Sequence, residues 1–253
     1  MPVKTEPNAY DDKAFTQAMA WRSRLQKPPG LWDQTTRATQ DRINNLIPEP
    51  VHKTVTAVMK RMTKSLMTGS GWIAGQPLTF GSLQEREDQV RQRISTYKRT
   101  ASVEGGVAGA GGFVLAAVDL PALMAIKLKL LFEICALYGY DSRDPRERLF
   151  MLRIFQLAFS SARNRPAALT ALEAALPPPT TDPTEAAAAP EEIDWRQFQL
   201  EYRDYIDLAK MAQLLPVIGA PVGAIANWRL TAHLANTAIQ AYRLRWFNKA
   251  EPQ

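Results

Sequence analysis

Acidic side chains in and beside the most apolar stretch of the chain are the first candidates for chemistry. They are Asp119, Glu133 and Asp141, with Glu104 nearby. Paired carboxylates can act as general acid and base, so the first three define a candidate site for a hydrolase acting on lipid. Helix structure explains them equally well. Asp119 suits a helix N-cap before Pro121, and Asp141 suits the turn after Tyr-Gly-Tyr. Glu133 is placed to pair with an arginine of the next helix, Arg153. We favour the structural interpretation of all three.

Histidine and cysteine are too few for the common metal and nucleophile sites. The sequence has two histidines, His52 and His233, and one cysteine, Cys135. A zinc site needs three or four ligands at short spacings, so we predict no metal and no cofactor. Cys135 lies among leucines and isoleucine, where an inert core residue is expected. A lone cysteine forms no intrachain disulfide, which favours a reducing compartment.

Glycines cluster in one apolar region and recur in a second. Five of the 13 glycines fall within residues 105–112. Gly105, Gly109 and Gly112 share one helical stripe, and Gly219 and Gly223 repeat the spacing of four near the end of the chain. Such stripes let another backbone or a bilayer come close, so these five glycines are the predicted membrane-contact or helix-packing positions. The run has no G-x-x-x-x-G-K-[ST] pattern and follows a helix, not a strand, so nucleotide binding is not expected.

Basic side chains are concentrated in the first hundred residues. That part holds 16 Lys and Arg against 9 Asp and Glu. Its net charge of +7 (16 − 9) exceeds the net charge of +6 for the whole chain. The charges lie on two amphipathic helices, at about residues 50–68 and from Ser82 onwards. The predicted contacts with an anionic surface are Lys53, Lys60, Arg61, Lys64, Arg91 and Lys98. No nucleic-acid-binding motif accompanies them, so nucleic acid is not the expected partner.

The elements that position these residues are helices throughout. Hydrophobic residues recur at three and four positions, and strict alternation of apolar and polar residues is not evident. Capping boxes are predicted at Ser82 with Glu85 and at Asp144 with Glu147. We predict an all-α fold, a single helical bundle over residues 11–250 with two glycine-rich apolar hairpins packed at its centre. Residues 1–10 are expected to be disordered, and residues 177–190, rich in proline and alanine, to form an exposed insertion.

A family resemblance rests on three segments. They are NNLIPEPVHKTVTAVMK, the long run GGVAGAGGFVLAAVDLPALMAIKLKLLFEICALYGYDSRDPRERLFMLRI, and LLPVIGAPVGAIANWRLTAHLANTAIQAYRLRW. Together they resemble the bacterial EcsC family over about residues 10–248. That resemblance implies membrane association and a link to ABC-transporter components, beside which the family's namesake is encoded.

The expected function is a non-enzymatic, membrane-associated interaction protein that binds anionic lipid headgroups or a membrane-protein partner. It is expected in the cytoplasm, on the inner face of the cell membrane. The stretch from Gly105 to Val118 is about 21 Å long as a helix, too short for a hydrocarbon core of about 30 Å, so shallow insertion is expected rather than a span. Two alternatives stay open, a lipid-acting hydrolase and a soluble helical scaffold whose glycine hairpins never leave the core.

Overall fold

The structure is a computed structural model of the chain. It describes residues 9–27, 75–110, 112–176 and 219–248, and the single positions 57, 61 and 64. The segment predicted to be an exposed insertion, 177–190, lies outside the described residues, as do His52, Lys53 and Lys60.

Six helices make up the regular structure of the described ranges, and those ranges contain no strand. The helices are α1 (Ala9–Gln26), α2 (Leu83–Ala110), α3 (Gly112–Leu137), α4 (Pro145–Ala158), α5 (Arg165–Ala174) and α6 (Gly219–Asn248). The predicted all-α fold is confirmed. Helix α1 begins at Ala9, inside the segment expected to be disordered, and the Tyr10 hydroxyl donates to Glu87 of α2 at 2.7 Å.

Local sequence sets the start of two helices. At α2 the backbone N–H of Ser82 donates to Glu85 Oε2 at 2.8 Å, and the Glu85 N–H donates to Ser82 Oγ at 3.3 Å, a complete capping box. At α4 the Asp144 carboxylate accepts the Arg146 N–H at 2.8 Å. The second predicted capping box is half wrong, because Glu147 does not turn back to the cap. Its carboxylate pairs instead with Arg245 of α6 in the interior.

Helices α2, α3 and α6 form the frame of the molecule. Tyr97 near the middle of α2 bonds to Glu133 late in α3, and Leu78 just before α2 bonds to Ala136, so α2 and α3 run antiparallel. Helix α6 also runs antiparallel to α2. Its contacts with α2 pass from Ala224, opposite Ser102, to Arg243, opposite Glu87. Helices α3 and α6 are therefore parallel.

The N-cap predicted at Asp119 is wrong. Helix α3 continues from Gly112 to Leu137 with Pro121 inside it, so Asp119 is an interior helical residue and not an N-cap. The second glycine-rich segment begins before the described residues, and from Gly219 onwards it is one continuous helix.

The core lies where α1, α4 and α5 cover the later part of α3 and α6. Tyr242 of α6 is fully buried at its centre. Its ring stacks on Tyr138 at 5.0 Å and on Tyr140 at 5.6 Å, and Phe150 of α4 meets it edge-on at 5.3 Å. Buried aromatic rings contribute large apolar areas, so this cluster fixes the relative position of α3, α4 and α6.

None of the described helices is both long enough and apolar enough to cross a membrane.

Candidate functional site

The candidate site is the glycine-rich end of the frame, which we define as residues 98–110 of α2, 112–129 of α3 and 219–229 of α6. Here α2 and α6 touch backbone to backbone. A methyl group added to Gly105 would lie 2.6 Å from the carbonyl oxygen of Gly223 and 3.0 Å from the Asn227 Cβ. No real side chain tolerates such distances, so α2 and α6 approach this closely because residue 105 is glycine.

A lysine and an asparagine lie buried beside this glycine contact. Lys127 of α3 is 1% exposed. Its Nζ donates to Asn227 Oδ1 at 3.3 Å and to the Leu123 carbonyl at 3.5 Å. The Asn227 amide group donates in turn to the Gly223 carbonyl at 3.2 Å. Burial lowers the pKa of Lys127 to about 8, because desolvation disfavours the charged form.

Apolar side chains around the same contact face outward. Val103 and Val107 lie one turn apart on α2 and are 68% and 55% exposed. Ile225 and Trp228 of α6 are also exposed. All four side chains lie on the two helices that meet at the Gly105–Gly223 contact, and we call these four exposed apolar side chains together the apolar patch below.

Cations border the apolar patch. The Lys98 Nζ lies 3.6 Å from the centre of the Trp228 ring, a cation–π contact. Arg99, Lys129 and Arg229 are exposed at the same end. The acidic residues of this end are Glu104, which is half-buried, and Asp119 of α3.

The remaining predicted glycines occupy helix ends. Gly109 lies one residue before the end of α2, Gly112 begins α3 and Gly219 begins α6. Of the glycines whose surroundings the structure describes, Gly105 and Gly223 lie against each other.

The predicted basic contacts divide between two places. Lys98 borders the apolar patch. Arg91 lies two turns earlier on α2, where it pairs with Asp88 at 2.7 Å and with Glu87 at 3.1 Å, and also contacts the Tyr10 hydroxyl. Arg61 and Lys64 are helical and exposed.

Glu133 and Asp141 of the alternative catalytic set each engage other side chains. Glu133 accepts the Tyr97 hydroxyl at 2.6 Å and lies 3.5 Å from the guanidinium of Arg93. Glu133 therefore pairs with Arg93, where the sequence predicted Arg153. Arg153 donates to Gln156 at 3.0 Å.

Asp141 binds Arg143 through three side-chain contacts and accepts its backbone N–H at 2.9 Å. Hydrogen bonding to Arg143 holds the pKa of Asp141 below its usual value. Ion pairs and turn bonds therefore account for the two carboxylates.

His233 and Cys135 also have ordinary surroundings. A ring nitrogen of His233 lies 2.8 Å from the Ala158 carbonyl oxygen. Cys135 is buried, and desolvation raises the pKa of its thiol to about 12, so the reactive thiolate is disfavoured. Within the described ranges, no three His, Cys, Asp or Glu side chains group closely enough to hold a metal ion.

Two buried ion pairs were not predicted from the sequence, and they define the opposite end of the frame. We call this the ion-paired end: residues 83–91 of α2, 133–137 of α3, 145–150 of α4 and 240–247 of α6. Arg243 donates to both oxygens of Glu87 at 2.7 and 2.6 Å, and Arg245 binds both oxygens of Glu147. The residues of both pairs are at most 5% exposed. Arginine and glutamate are usually surface residues, so no sequence pattern marked them as buried.

The environment of Glu87 keeps it charged. Burial by itself raises the pKa of Glu87. Hydrogen bonds from Arg243, Tyr10 and Tyr138 outweigh that effect and leave the pKa of Glu87 below its usual value. The Glu87 carboxylate therefore joins α1, α2, α6 and the turn that follows α3.

Comparison with known proteins agrees with the resemblance seen in the sequence. The model of the EcsC protein family matches residues 12–247. Protein EcsC of Bacillus subtilis (strain 168) is 39% identical, over 90% of this chain and 93% of that protein. Uncharacterized protein YdbA of the same organism is 24% identical, over 97% of this chain and 95% of that protein. No solved structure matches the chain. Because the family model and a relative at 39% identity each cover about nine-tenths of its length, the chain belongs to the EcsC protein family.

Proposed function

We propose that the protein is a non-enzymatic, peripheral membrane protein that binds an anionic bilayer, on the inner face of the cell membrane, through its glycine-rich end. The observation that carries the proposal is the apolar patch with its border of cations. Val103, Val107, Ile225 and Trp228 are exposed, and Lys98 lies against Trp228. Aliphatic side chains beside tryptophan and lysine are typical of a surface that lies at the lipid–water boundary.

Dimensions favour shallow insertion. Beyond Glu104, helix α2 has no charged residue up to its end at Ala110, a length of about 9 Å. Amphipathic surfaces that lie in a membrane interface bury roughly 5–10 Å of their apolar side. The uncharged end of α2 therefore fits the depth between the headgroups and the upper acyl chains.

Charge favours an anionic leaflet. Lys98, Arg99, Lys129 and Arg229 outnumber Glu104 and Asp119 at this end. Each Lys or Arg close to an anionic surface contributes about 1 kcal/mol to binding. A membrane protein is the competing partner, since a patch of this kind can also cover a transmembrane neighbour.

Flotation of the purified full chain with vesicles tests the proposal. The protein should float with vesicles of phosphatidylglycerol at low salt and poorly with vesicles of phosphatidylcholine. Raising the salt from about 0.1 M to about 1 M shortens the screening length from about 10 Å to about 3 Å and should release most of it.

Two variants locate the contact. Val103→Asp places a charge in the apolar patch and should weaken binding at least tenfold, roughly the combined effect of a lost apolar contact and an added negative charge. Phe80→Asp is the matched control, because Phe80 is 80% exposed but lies beside the start of α2, at the opposite end. Equal loss in both variants, or no binding of the unaltered chain, would overturn the proposal. Binding to native membranes alone would favour the membrane-protein partner.

A further inference from the structure

Lys127 is the buried cation with the weakest partners in the described part of the chain. Arg243 and Arg245 each face a carboxylate, and Arg86 donates to the carbonyls of Leu78, Gly81 and Leu137. Lys127 has two neutral acceptors, both at distances longer than typical hydrogen bonds, for the three N–H groups of its charged form.

At neutral pH that cation is held in the interior at a cost. Desolvation lowers the pKa of Lys127 to about 8, still above 7, so the side chain is mostly charged under ordinary conditions. Among the described residues this charge has no carboxylate partner. A buried charge of that kind disfavours the closed structure and favours any arrangement that returns the charge to water or to an anion.

Helix α6 supplies Asn227 to Lys127 from a segment that buries few apolar side chains. Among the α6 side chains that the structure describes, the buried residues before Leu234 are Gly223, Asn227 and Thr231, which offer little apolar area. Half-buried Leu230 packs against the main core, and from Leu234 onwards α6 lies within it. Segments with few buried apolar contacts open at a lower free energy than the rest of a structure.

Position links this weak segment to the proposed membrane surface. Asn227, which bonds Lys127, directly precedes Trp228 of the apolar patch and contacts Gly105, which lies between Val103 and Val107. Movement of α6 away from Gly105 would break the Lys127–Asn227 bond and open the space above Lys127 towards the surface that meets the lipid.

We propose that Lys127 is a latent binding residue for lipid phosphate, exposed when the first turns of α6 separate from α2 and α3 on an anionic membrane. This inference rests on the proposed function. The apolar patch makes the first contact, the lipid takes the place of α6 against α2, and the Lys127 ammonium exchanges the Asn227 and Leu123 oxygens for a phosphate oxygen. The phosphate oxygen gives the ammonium a counter-charge in place of two neutral acceptors, which supplies the driving force.

Amine labelling read by mass spectrometry tests the exposure of Lys127. Lys129, exposed on the same helix, is an internal reference in every sample. In the free protein, Lys127 should react far more slowly than Lys129. Vesicles of phosphatidylglycerol should raise the Lys127 rate at least about tenfold relative to Lys129, as expected when a closed segment opens. Phosphatidylcholine vesicles should leave the ratio unchanged.

Flotation of Lys127→Met tests the contact with phosphate. The variant keeps the length and bulk of the side chain, and its helical content should match the unaltered chain. Its binding to phosphatidylglycerol vesicles should fall about fivefold, the factor that corresponds to about 1 kcal/mol for one basic residue at an anionic surface.

Three results separate the proposals. If the unaltered chain does not float, the membrane function and this inference both fail. If the chain floats while Lys127 stays unreactive, or while Lys127→Met binds as tightly as the unaltered chain, the inference alone is overturned.

Discussion

The two ends of the α2–α3–α6 frame hold their buried cations in different ways. At the ion-paired end, Arg243 and Arg245 each bond both oxygens of a glutamate. At the glycine-rich end, Lys127 has one amide oxygen and one backbone carbonyl. The packing differs in the same sense. Tyr242 and its aromatic neighbours surround the first end, whereas backbone contact at Gly105 and exposed valines characterise the second.

This difference indicates that one end of the frame is held in a single arrangement and that the other end opens more easily. A buried ion pair is destabilised severely when one partner is lost, so the ion-paired end is committed to one arrangement. At the glycine-rich end, Lys127 has no counter-charge among the described residues and the first turns of α6 bury few apolar side chains, so the closed form of that α6 segment has less to lose by opening. Three experiments break or sharpen this contrast.

Removing one member of a buried pair should have the largest effect. Arg243→Met leaves the Glu87 carboxylate buried without its main partner, and the free energy of unfolding should fall by about 3–5 kcal/mol. Urea unfolding followed by circular dichroism measures it. Arg143→Met is the matched control, because the Arg143–Asp141 pair is exposed and such pairs contribute about 1 kcal/mol or less. Similar losses of unfolding free energy in both variants would mean that the buried pair stabilises the fold no more than an exposed pair does.

The pH dependence of Lys127→Met should show the uncompensated charge directly. The pKa of Lys127 is about 8 in the folded chain and 10.5 in the unfolded one. Between these values the unfolded state binds a proton that the folded state lacks, so stability rises with pH. As the pH rises from about 8 to about 10.5, the free energy of unfolding of the unaltered chain should therefore rise by about 3 kcal/mol relative to that of the variant.

Comparison with the variant cancels the other groups that titrate in this range, among them Cys135 and the buried tyrosines, because both chains keep them. Urea unfolding at a series of pH values gives the difference. A constant difference across that range would show that Lys127 is not desolvated as the structure places it.

Gly105→Ala should have a smaller effect. The added methyl group meets the Gly223 carbonyl at 2.6 Å, and the helices must shift apart. Overpacking of this kind costs about 1–3 kcal/mol, more than the gain of up to about 1 kcal/mol that alanine brings in helix propensity. Gly75→Ala is the control, since no atom lies within 4 Å of an added methyl there. Thermal unfolding measures the midpoint of each variant. Equal midpoints for Gly105→Ala and Gly75→Ala would contradict the close contact at Gly105.

Local sequence predicted the features that depend on neighbours along the chain. The capping box of Ser82 and Glu85 and the N-cap at Asp144 formed as expected, because both partners lie within three residues. The all-helical character followed from hydrophobic spacing for the same reason. The N-cap predicted at Asp119 did not form, since proline and aspartate signal a helix boundary only weakly and α3 continues through both.

Contacts between side chains of different helices could not be predicted from local sequence. Glu147 fits a capping box in sequence, yet its carboxylate lies against Arg245, 98 residues later in the chain. Lys127 and Lys129 are two residues apart in one apolar helix and look equivalent, but one is fully buried and the other exposed. An apolar helix does not reveal from its own pattern which sides are covered.

The sequence by itself determined the helical fold and the family, because these depend on residue spacing and on similarity along the chain. The tertiary structure alone decided which cations are buried and what they face. It placed Arg243 against Glu87, left Lys127 with Asn227, and turned Val103 and Trp228 outward beside the same contact. The physical reason is that burial and pairing depend on how separate helices meet in space, and Arg243 and Glu87 meet there although they lie 156 positions apart in the chain.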